Sequence, residues 1–367
     1  ITPTNVLTAT STNTVTNKTL NDPRISLGGT NGTTGQALVS QGTGAVPTWA
    51  TIASGGQYSA VASGTIASAG LVVSLNSNGT VSTTTGSEAS VTSPTAFTTV
   101  FTSIPVSAYD PVNKKVVVMF QDGSTGFPNA IVGTVTGTSI SFGSSVVVTS
   151  VSSGDYSIVF DVTNSRFVLF YRGTSNFGYA KVGTVSGTTI SFGSEATFYS
   201  AGITTNIASA YDTANSRTLL TFKDASANTT SSIVATVSGT NVSFGTSVLN
   251  PSGNSARNAI AYHAAQGRFV VAVARSDDSN RGWAAVATIS GTSVSFGTAV
   301  RFSAINVAGA LAATYDPVNQ NVIIAYSNDS PVSSFAVCAI VSGTAISYGT
   351  PTNITTSFAN NFQLAYD

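Results

Sequence analysis

Tyr109-Asp110-Pro111-Val112-Asn113-Lys114-Lys115 runs straight into the apolar block Val116-Val117-Val118-Met119-Phe120, and this unit returns along the chain. Its opening pair becomes Phe160-Asp161, Tyr211-Asp212, Tyr262-His263 and Tyr315-Asp316, and a partial copy stands at Tyr366-Asp367. The second members of these pairs are separated by 51, 51, 51, 53 and 51 residues. A second element, Gly-Thr-x-Ile/Val-Ser-Phe-Gly, opens at Gly137, Gly187, Gly239, Gly291 and Gly343, with Tyr for Phe in the last copy. Its spacings are 50, 52, 52 and 52 residues. Two unrelated markers that keep one period define an internal repeat.

Each repeat divides into four strands. In the first copy, strand A ends at Ser107-Ala108-Tyr109, B is Lys115 to Phe120, C is Ala130 to Val135 and D is Ser139 to Phe142, resuming near Val146 to Val148. The B blocks are apolar on both faces, as in Phe167 to Tyr171, Phe269 to Val273 and Val322 to Tyr326, so such a strand needs cover on both sides. Sheets arranged radially supply it, which predicts an all-β fold, a β-propeller of about 51-residue four-stranded blades. A β-solenoid is the rival, but solenoid coils repeat with shorter periods and lack hairpin turns of this kind. Between C and D, Gly137, Gly187, Gly239, Gly291 and Gly343 supply positive φ in a tight turn. Between A and B, the side chains of Asp110, Asp161, Asp212 and Asp316 are expected to bond backbone amides two residues on, with Asn113, Asn164, Asn215 and Asn319 taking the left-handed conformation.

Five repeats span 97–148, 149–199, 200–250, 251–302 and 303–355. A worn hairpin between Gly70 and Thr85 and the surplus A strand at Phe362 to Asp367 suggest a sixth, closing blade from 56–96 plus 356–367. Such closure removes a sheet edge; the alternative is a natural chain that continues past Asp367 with more blades. Residues 1–55 stand apart as an extended stalk or linker, or as an oligomerisation or attachment segment that orders by intertwining with copies of itself, rich in Thr, Asn and Gly and short of core residues. The opening at Ile1, without an initiator Met or a signal-like apolar region, reads as a fragment or processed chain.

Charged residues are 8% of the chain and the formal net charge is zero. No basic stripe marks a nucleic-acid partner, and no apolar run nears the 18 residues of a spanning helix, so no membrane insertion is expected. Cys338, the one cysteine, stands in an apolar strand and reads as a small buried hydrophobe; no internal disulfide, cysteine metal site or cofactor is expected.

The Asn17-Lys18-Thr19-Leu20 run and the run from Gly35-Gln36-Ala37-Leu38 through Pro47-Thr48-Trp49 resemble segments of bacteriophage tail-fibre and related virion appendage proteins. The Tyr-Asp and Gly-Thr-x-Ser-Phe-Gly repeats resemble arrays in predicted phage structural proteins, and similar arrays occur in bacterial surface proteins. The resemblance implies a location on the virion surface, other virion proteins as partners, attachment to a host cell-surface glycan or protein, and a homotrimer.

The recurring turn aspartates, and Lys115, Arg166, Arg217 and Arg268 five residues after the Asp or His, read as turn chemistry, because catalysis needs a group once per site and not once per blade. Two glutamates, Glu88 and Glu195, fall in different blades, and no spacing pairs Asp122, Asp155, Asp224, Asp277, Asp278 or Asp329 as a glycoside hydrolase requires. His263 replaces a turn Asp. Asp277-Asp278 reads as a solvated loop pair in preference to a calcium site.

In a four-stranded meander the A–B and C–D turns share one face, and the B–C and D–A connections share the other. The first pair is nearly uniform in this chain and the second varies, which is the pattern of a recognition face on a scaffold. The variable face is expected to carry Phe127, Arg172, Phe177, Lys223, Asp224, Asp277, Arg281 and Trp283 as ligand-binding residues, with Tyr156 and Tyr199. The reading is a non-enzymatic structural or binding module of a virion fibre or appendage. The alternatives are a bacterial extracellular lectin-like propeller and a sialidase-like glycoside hydrolase.

Overall fold

In a computed structural model of the chain, the described residues are 36–39, 48–51, 73–75, 81–83, 95–330, 332–359, 362 and 364–365. They belong to two units, Ile1–Ser93 and Pro94–Asp367. The first contains two antiparallel pairs, Gln36–Val39 with Thr48–Thr51 and Val73–Leu75 with Val81–Thr83. The second of these lies where the worn hairpin is expected.

The second unit is all-β, with five antiparallel sheets in chain order. In blade 1, A is Thr102–Asp110, B is Lys115–Asp122, C is Pro128–Thr136 and D is Ser139–Phe142. A short segment D′, Val146–Val147, returns to pair with C beside D. Every later blade repeats this order, including D′. The A strands of successive blades, beginning at Thr102, Gly154, Thr204, Ser255 and Leu311, lie against one another, so the blades turn about an axis with A innermost.

Alternation along strand B divides each blade between two cores. In blade 2, Phe167, Leu169 and Tyr171 pack with Val117, Met119 and Val132 of blade 1. Val168 and Phe170 of the same strand pack with Leu220, Phe222 and Ile233 of blade 3. All five of these blade 2 side chains are at most 1% exposed. Burial of side chains of this size stabilises by roughly 1.5–3 kcal/mol each, and here it is gained only by stacking sheet on sheet. Four apolar clusters join the five blades in this way.

In blades 2 and 4 an aromatic from D′ clasps the next blade. Phe198 lies 5.3 Å from Phe222 and 5.8 Å from Phe244, and Phe302 lies 5.3 Å from Tyr326 and 5.9 Å from Tyr348. Phe97, ahead of blade 1, meets Phe120 at 5.2 Å and Phe142 at 6.0 Å, the same relation. The glycine after each Ser-Phe completes the joint. A Cβ on Gly143, Gly193, Gly245 or Gly297 would stand 1.9 Å from the carbonyl oxygen of Thr188, Thr240, Thr292 or Thr344, in the C–D turn of the following blade. At Gly349, in blade 5, the nearest atom to such a Cβ is 3.8 Å away, within its own blade.

Two expectations need correction. The left-handed residue of the A–B turn is Lys114, Ser165, Ser216, Gly267 or Gln320, not the preceding Asn113, Asn164, Asn215 or Asn319. The asparagine amide donates to the turn carboxylate, which holds the asparagine back, and the chain reverses one residue later. Cys338 is exposed. Its neighbours Val337 and Ala339 point into the cluster shared with blade 4, which turns Cys338 to the opposite face, where no sheet covers it among the described residues. The sixth blade falls on 56–96 and 356–367, and its closure lies outside the described residues.

Candidate functional site

The uniform face is built from carboxylates that hold backbone. Asp110 Oδ1 accepts from the amides of Val112 at 2.9 Å and Asn113 at 3.1 Å, while Oδ2 accepts from Asn113 Nδ2 at 2.8 Å. Asp161, Asp212 and Asp316 repeat this Asx turn. Gly137, Gly187, Gly239, Gly291 and Gly343 take φ between 58° and 62°, as their hairpins require. Neighbouring blades are tied through these turns. The Tyr211 hydroxyl donates to Asp161 at 2.7 Å, and burial together with Asp212 pushes the Tyr262 hydroxyl up to about 12. Where His263 replaces the aspartate, Tyr315 packs tilted against its ring with centroids 4.7 Å apart, and the Gln320 carbonyl lies 2.9 Å from its Nε2.

The variable face is built differently. Its loops are fastened to one another by backbone bonds, such as Val148 N to Pro128 O at 2.8 Å and Val307 N to Asn280 O at 2.8 Å. Strand A opens with a bulge in which Ile104, Asp155 and Asn206 adopt left-handed φ of 49–53°. From there a polar chain follows the axis. Asp155 accepts from Asn206 N at 2.9 Å, Asn206 Nδ2 donates to Ala256 O at 2.8 Å, and Arg257 Nη2 donates to Ala308 O at 2.9 Å. Asn206, Arg257, Asn258, Leu311 and Phe362 line a cavity of about 150 Å³ beside it.

Each candidate residue has a definite place. Phe127 and Phe177 are half-buried at the ends of the B–C loops of blades 1 and 2. Arg172 is paired with Asp155 at 2.9 Å and also donates to Asn176. Among the described residues Lys223 makes no side-chain hydrogen bond or ion pair. Asp224 is buried and turns its own loop, accepting from the amides of Ser226 and Ala227, while the Tyr199 hydroxyl donates to it at 2.6 Å. Against the cost of burial, these donors hold the Asp224 carboxyl below its ordinary range. Tyr156 turns inward, its hydroxyl bonded to Ser153. The Tyr199 bond crosses from blade 2 to Asp224 of blade 3, and the other bonds of these groups stay within their own blades.

Only blade 4 brings several candidates together. Its strands are A Ser255–His263, B Arg268–Arg275, C Arg281–Ser290, D Ser293–Phe296 and D′ Val300–Asn306, with one 3₁₀ turn, Ser276–Asp278, in the B–C loop. Arg275 forms a two-pronged pair with Asp277, Nε to Oδ1 and Nη2 to Oδ2, each at 3.0 Å. Arg281 Nη1 donates to Asp278 Oδ1 at 2.7 Å, and Trp283 Nε1 donates to Asp278 Oδ2 at 2.8 Å. The Arg275 guanidinium lies over the Trp283 ring, 5.1 Å from its centroid. The Arg275 bond holds the Asp277 carboxyl below the usual carboxylate range, and the Trp283 bond, with Arg281, does the same for Asp278. The adjacent acids are thus fixed by arginines. Among the described residues no group of three His, Cys, Asp or Glu side chains converges as metal ligands do.

Sequence reasoning passed over Arg275, Asn206, Arg257 and Arg301 as site residues. One signal was available for the axial set: Asp155, Asn206 and Arg257 each stand five residues before the repeat's Phe or Tyr, at intervals of 51.

No protein family matches the chain, and no curated protein is similar in sequence. Among solved structures, β-propellers are similar in fold. A triple mutant of AofleA from Arthrobotrys oligospora is 10% identical, with 69% of this chain and 71% of that chain covered and a TM-score of 0.49. The Aleuria aurantia lectin, a six-bladed β-propeller with fucose recognition, is 14% identical over 70% and 81%, with a TM-score of 0.43. A protein from Lactobacillus plantarum is 14% identical over 70% and 72%, with a TM-score of 0.46.

Proposed function

We propose that this chain is a non-enzymatic, lectin-like binding module that presents the variable face of its propeller to a glycan. The observation that carries the reading is the state of that face's carboxylates. Asp224, Asp277 and Asp278 accept from amides, hydroxyls, an indole or guanidinium groups and are held below their ordinary pKa. A glycosidase acid needs the opposite, a carboxyl raised by an apolar setting. Anions fixed in this way position neighbours, and what they position in blade 4 is an aromatic ring among hydrogen-bond donors, the equipment of sugar recognition. The Aleuria aurantia lectin is a propeller that takes fucose; here the reading rests on this chain's own loops.

The resemblance of residues 1–55 and of the repeats to phage fibre proteins supports a setting on a virion, with the module as part of a homotrimeric appendage. Other virion proteins would hold it, and a host-surface glycan would be its receptor. Screening the full chain on an immobilised glycan array tests the binding reading: retention of defined glycans, lost in Trp283→Ala and without release of cleaved sugar, is the expected result. Failure to retain any glycan, or cleavage that disappears in Asp278→Asn, overturns it. Light scattering tests the trimer.

A further inference from the structure

The charges of this chain cancel overall but are not spread evenly. Repeats 97–148, 149–199 and 200–250 each balance cations against carboxylates, and 303–355 holds Asp316 and Asp329 with no cation. Repeat 251–302 alone carries an excess: Arg257, Arg268, Arg275, Arg281 and Arg301 against Asp277 and Asp278, a formal +3. Arg268 belongs to the A–B turn and Arg257 to the axial chain; the other three, Arg275, Arg281 and Arg301, mark the variable end of this blade as different from its neighbours.

Three of these arginines surround Trp283. Asp277 occupies Nε and Nη2 of Arg275, leaving Nη1, and Arg281 uses Nη1 on Asp278 and Nε on Ala304 O, leaving Nη2. Arg301, directly across from Trp283 in the C–D′ register, is exposed and donates no hydrogen bond among the described residues. The backbone makes room for this arrangement: Gly253 takes φ +90°, and a Cβ there would stand 2.6 Å from Arg275 Nε. The matching position to Trp283 in blade 2 is Tyr179, but the residue across from it is Thr197, so the aromatic recurs without the cation.

We infer that the blade 4 site is selective for an acidic glycan, with Arg301 taking the sugar's carboxylate or sulfate while Trp283 stacks on the ring. This deepens the binding reading above and rests on it. A planar guanidinium matches a carboxylate or sulfate edge in two-pronged fashion, and the apolar C–H face of a sugar ring suits an indole. Asp277 and Asp278 orient Arg275, Arg281 and the indole. The patch covers the width of two strands, which fits one or two sugar residues and not the long run of phosphates that gives nucleic acid its affinity.

The test compares wild type, Arg301→Gln and Lys114→Gln, an exposed cation of the uniform face whose turn position is held by Gln320 in blade 5, on a glycan array containing neutral, carboxylated and sulfated members, with a 20-mer of thymidylate as competitor. The expected result is retention of acidic members over neutral ones, weakened about tenfold in Arg301→Gln, unchanged in Lys114→Gln, and reduced by added salt. Which acidic members are retained separates carboxylate from sulfate. Retention of neutral members unaffected by Arg301→Gln overturns the inference and leaves the binding reading standing. Retention of no glycan overturns both. Displacement of the acidic glycan by the thymidylate at equal charge concentration also overturns the inference, in favour of a general anion surface. Thermal unfolding of Arg301→Gln at the wild-type temperature shows that loss of binding is not loss of fold, since Arg301 is exposed and makes no hydrogen bond or ion pair among the described residues.

Discussion

The two ends of each blade use the same side chain for opposite purposes. At the uniform end, Asp161 is 1% exposed and accepts from its own turn and from Tyr211 of the next blade. At the variable end, Asp278 accepts from Arg281 and Trp283, side chains that are themselves partly open to water. The first carboxylate closes the chain on itself; the second sets out other side chains. The difference lies in what each carboxylate fixes: Asp161 closes a backbone turn, while Asp278 sets the direction of side chains partly open to water.

The sharpest way to break this contrast is at the joints. Gly193→Ala is expected to destabilise by about 3 kcal/mol or more, because the new methyl meets backbone and not a yielding side chain. Gly349→Ala, the same motif with open space before it, is expected to change stability by under about 0.5 kcal/mol. Urea unfolding of both variants measures the difference, and equal losses would contradict the joint as described. Asp161→Ala comes next, at about 2 kcal/mol, since it strands the Asn164 amide and takes one partner from the Tyr211 hydroxyl, which keeps Thr163. Arg172→Gln, at a partly exposed pair with Asp155, is expected to cost less than about 1 kcal/mol in the same assay.

The smallest expected effect is local and acid-driven. Asp278 has its folded pKa below the ordinary 3.8. Its contribution is therefore present above that value and is lost as the pH falls through the folded pKa. With Trp49→Phe removing the other tryptophan, Trp283 fluorescence should hold steady from neutral pH to about 4 and change below it. A transition centred above pH 4 would show that Asp278 is not held as described.

The architecture was legible because its causes are periodic. Strand B is apolar on both faces, the turn glycines and aspartates recur, and the residues responsible carry their roles wherever they stand. The left-handed turn residue was misplaced by one because propensity favours asparagine there, while tertiary bonding gives the asparagine amide a better use on the carboxylate. Cys338 was misread because an apolar strand shows in sequence that it needs cover and not which of its faces has it. The blade 4 cluster was half visible. Asp277, Arg281 and Trp283 drew notice as loop residues, but the pairing of Arg275 with Asp277 and of Trp283 with Arg301 depends on the loop's path and on the bulged return of D′. Neither is written as a spacing.

The bare glycine that follows each Ser-Phe receives a carbonyl from the next repeat's hairpin, while its own repeat offers the same carbonyl backwards. Plug and socket therefore travel together in every 51 or so residues. A duplication of one such length copies both halves of the joint, so an array of this kind can gain or lose a unit without inventing a new contact. The ring's size becomes a matter of copy number, and a side chain at that glycine would block assembly at one seam while leaving the remaining seams intact.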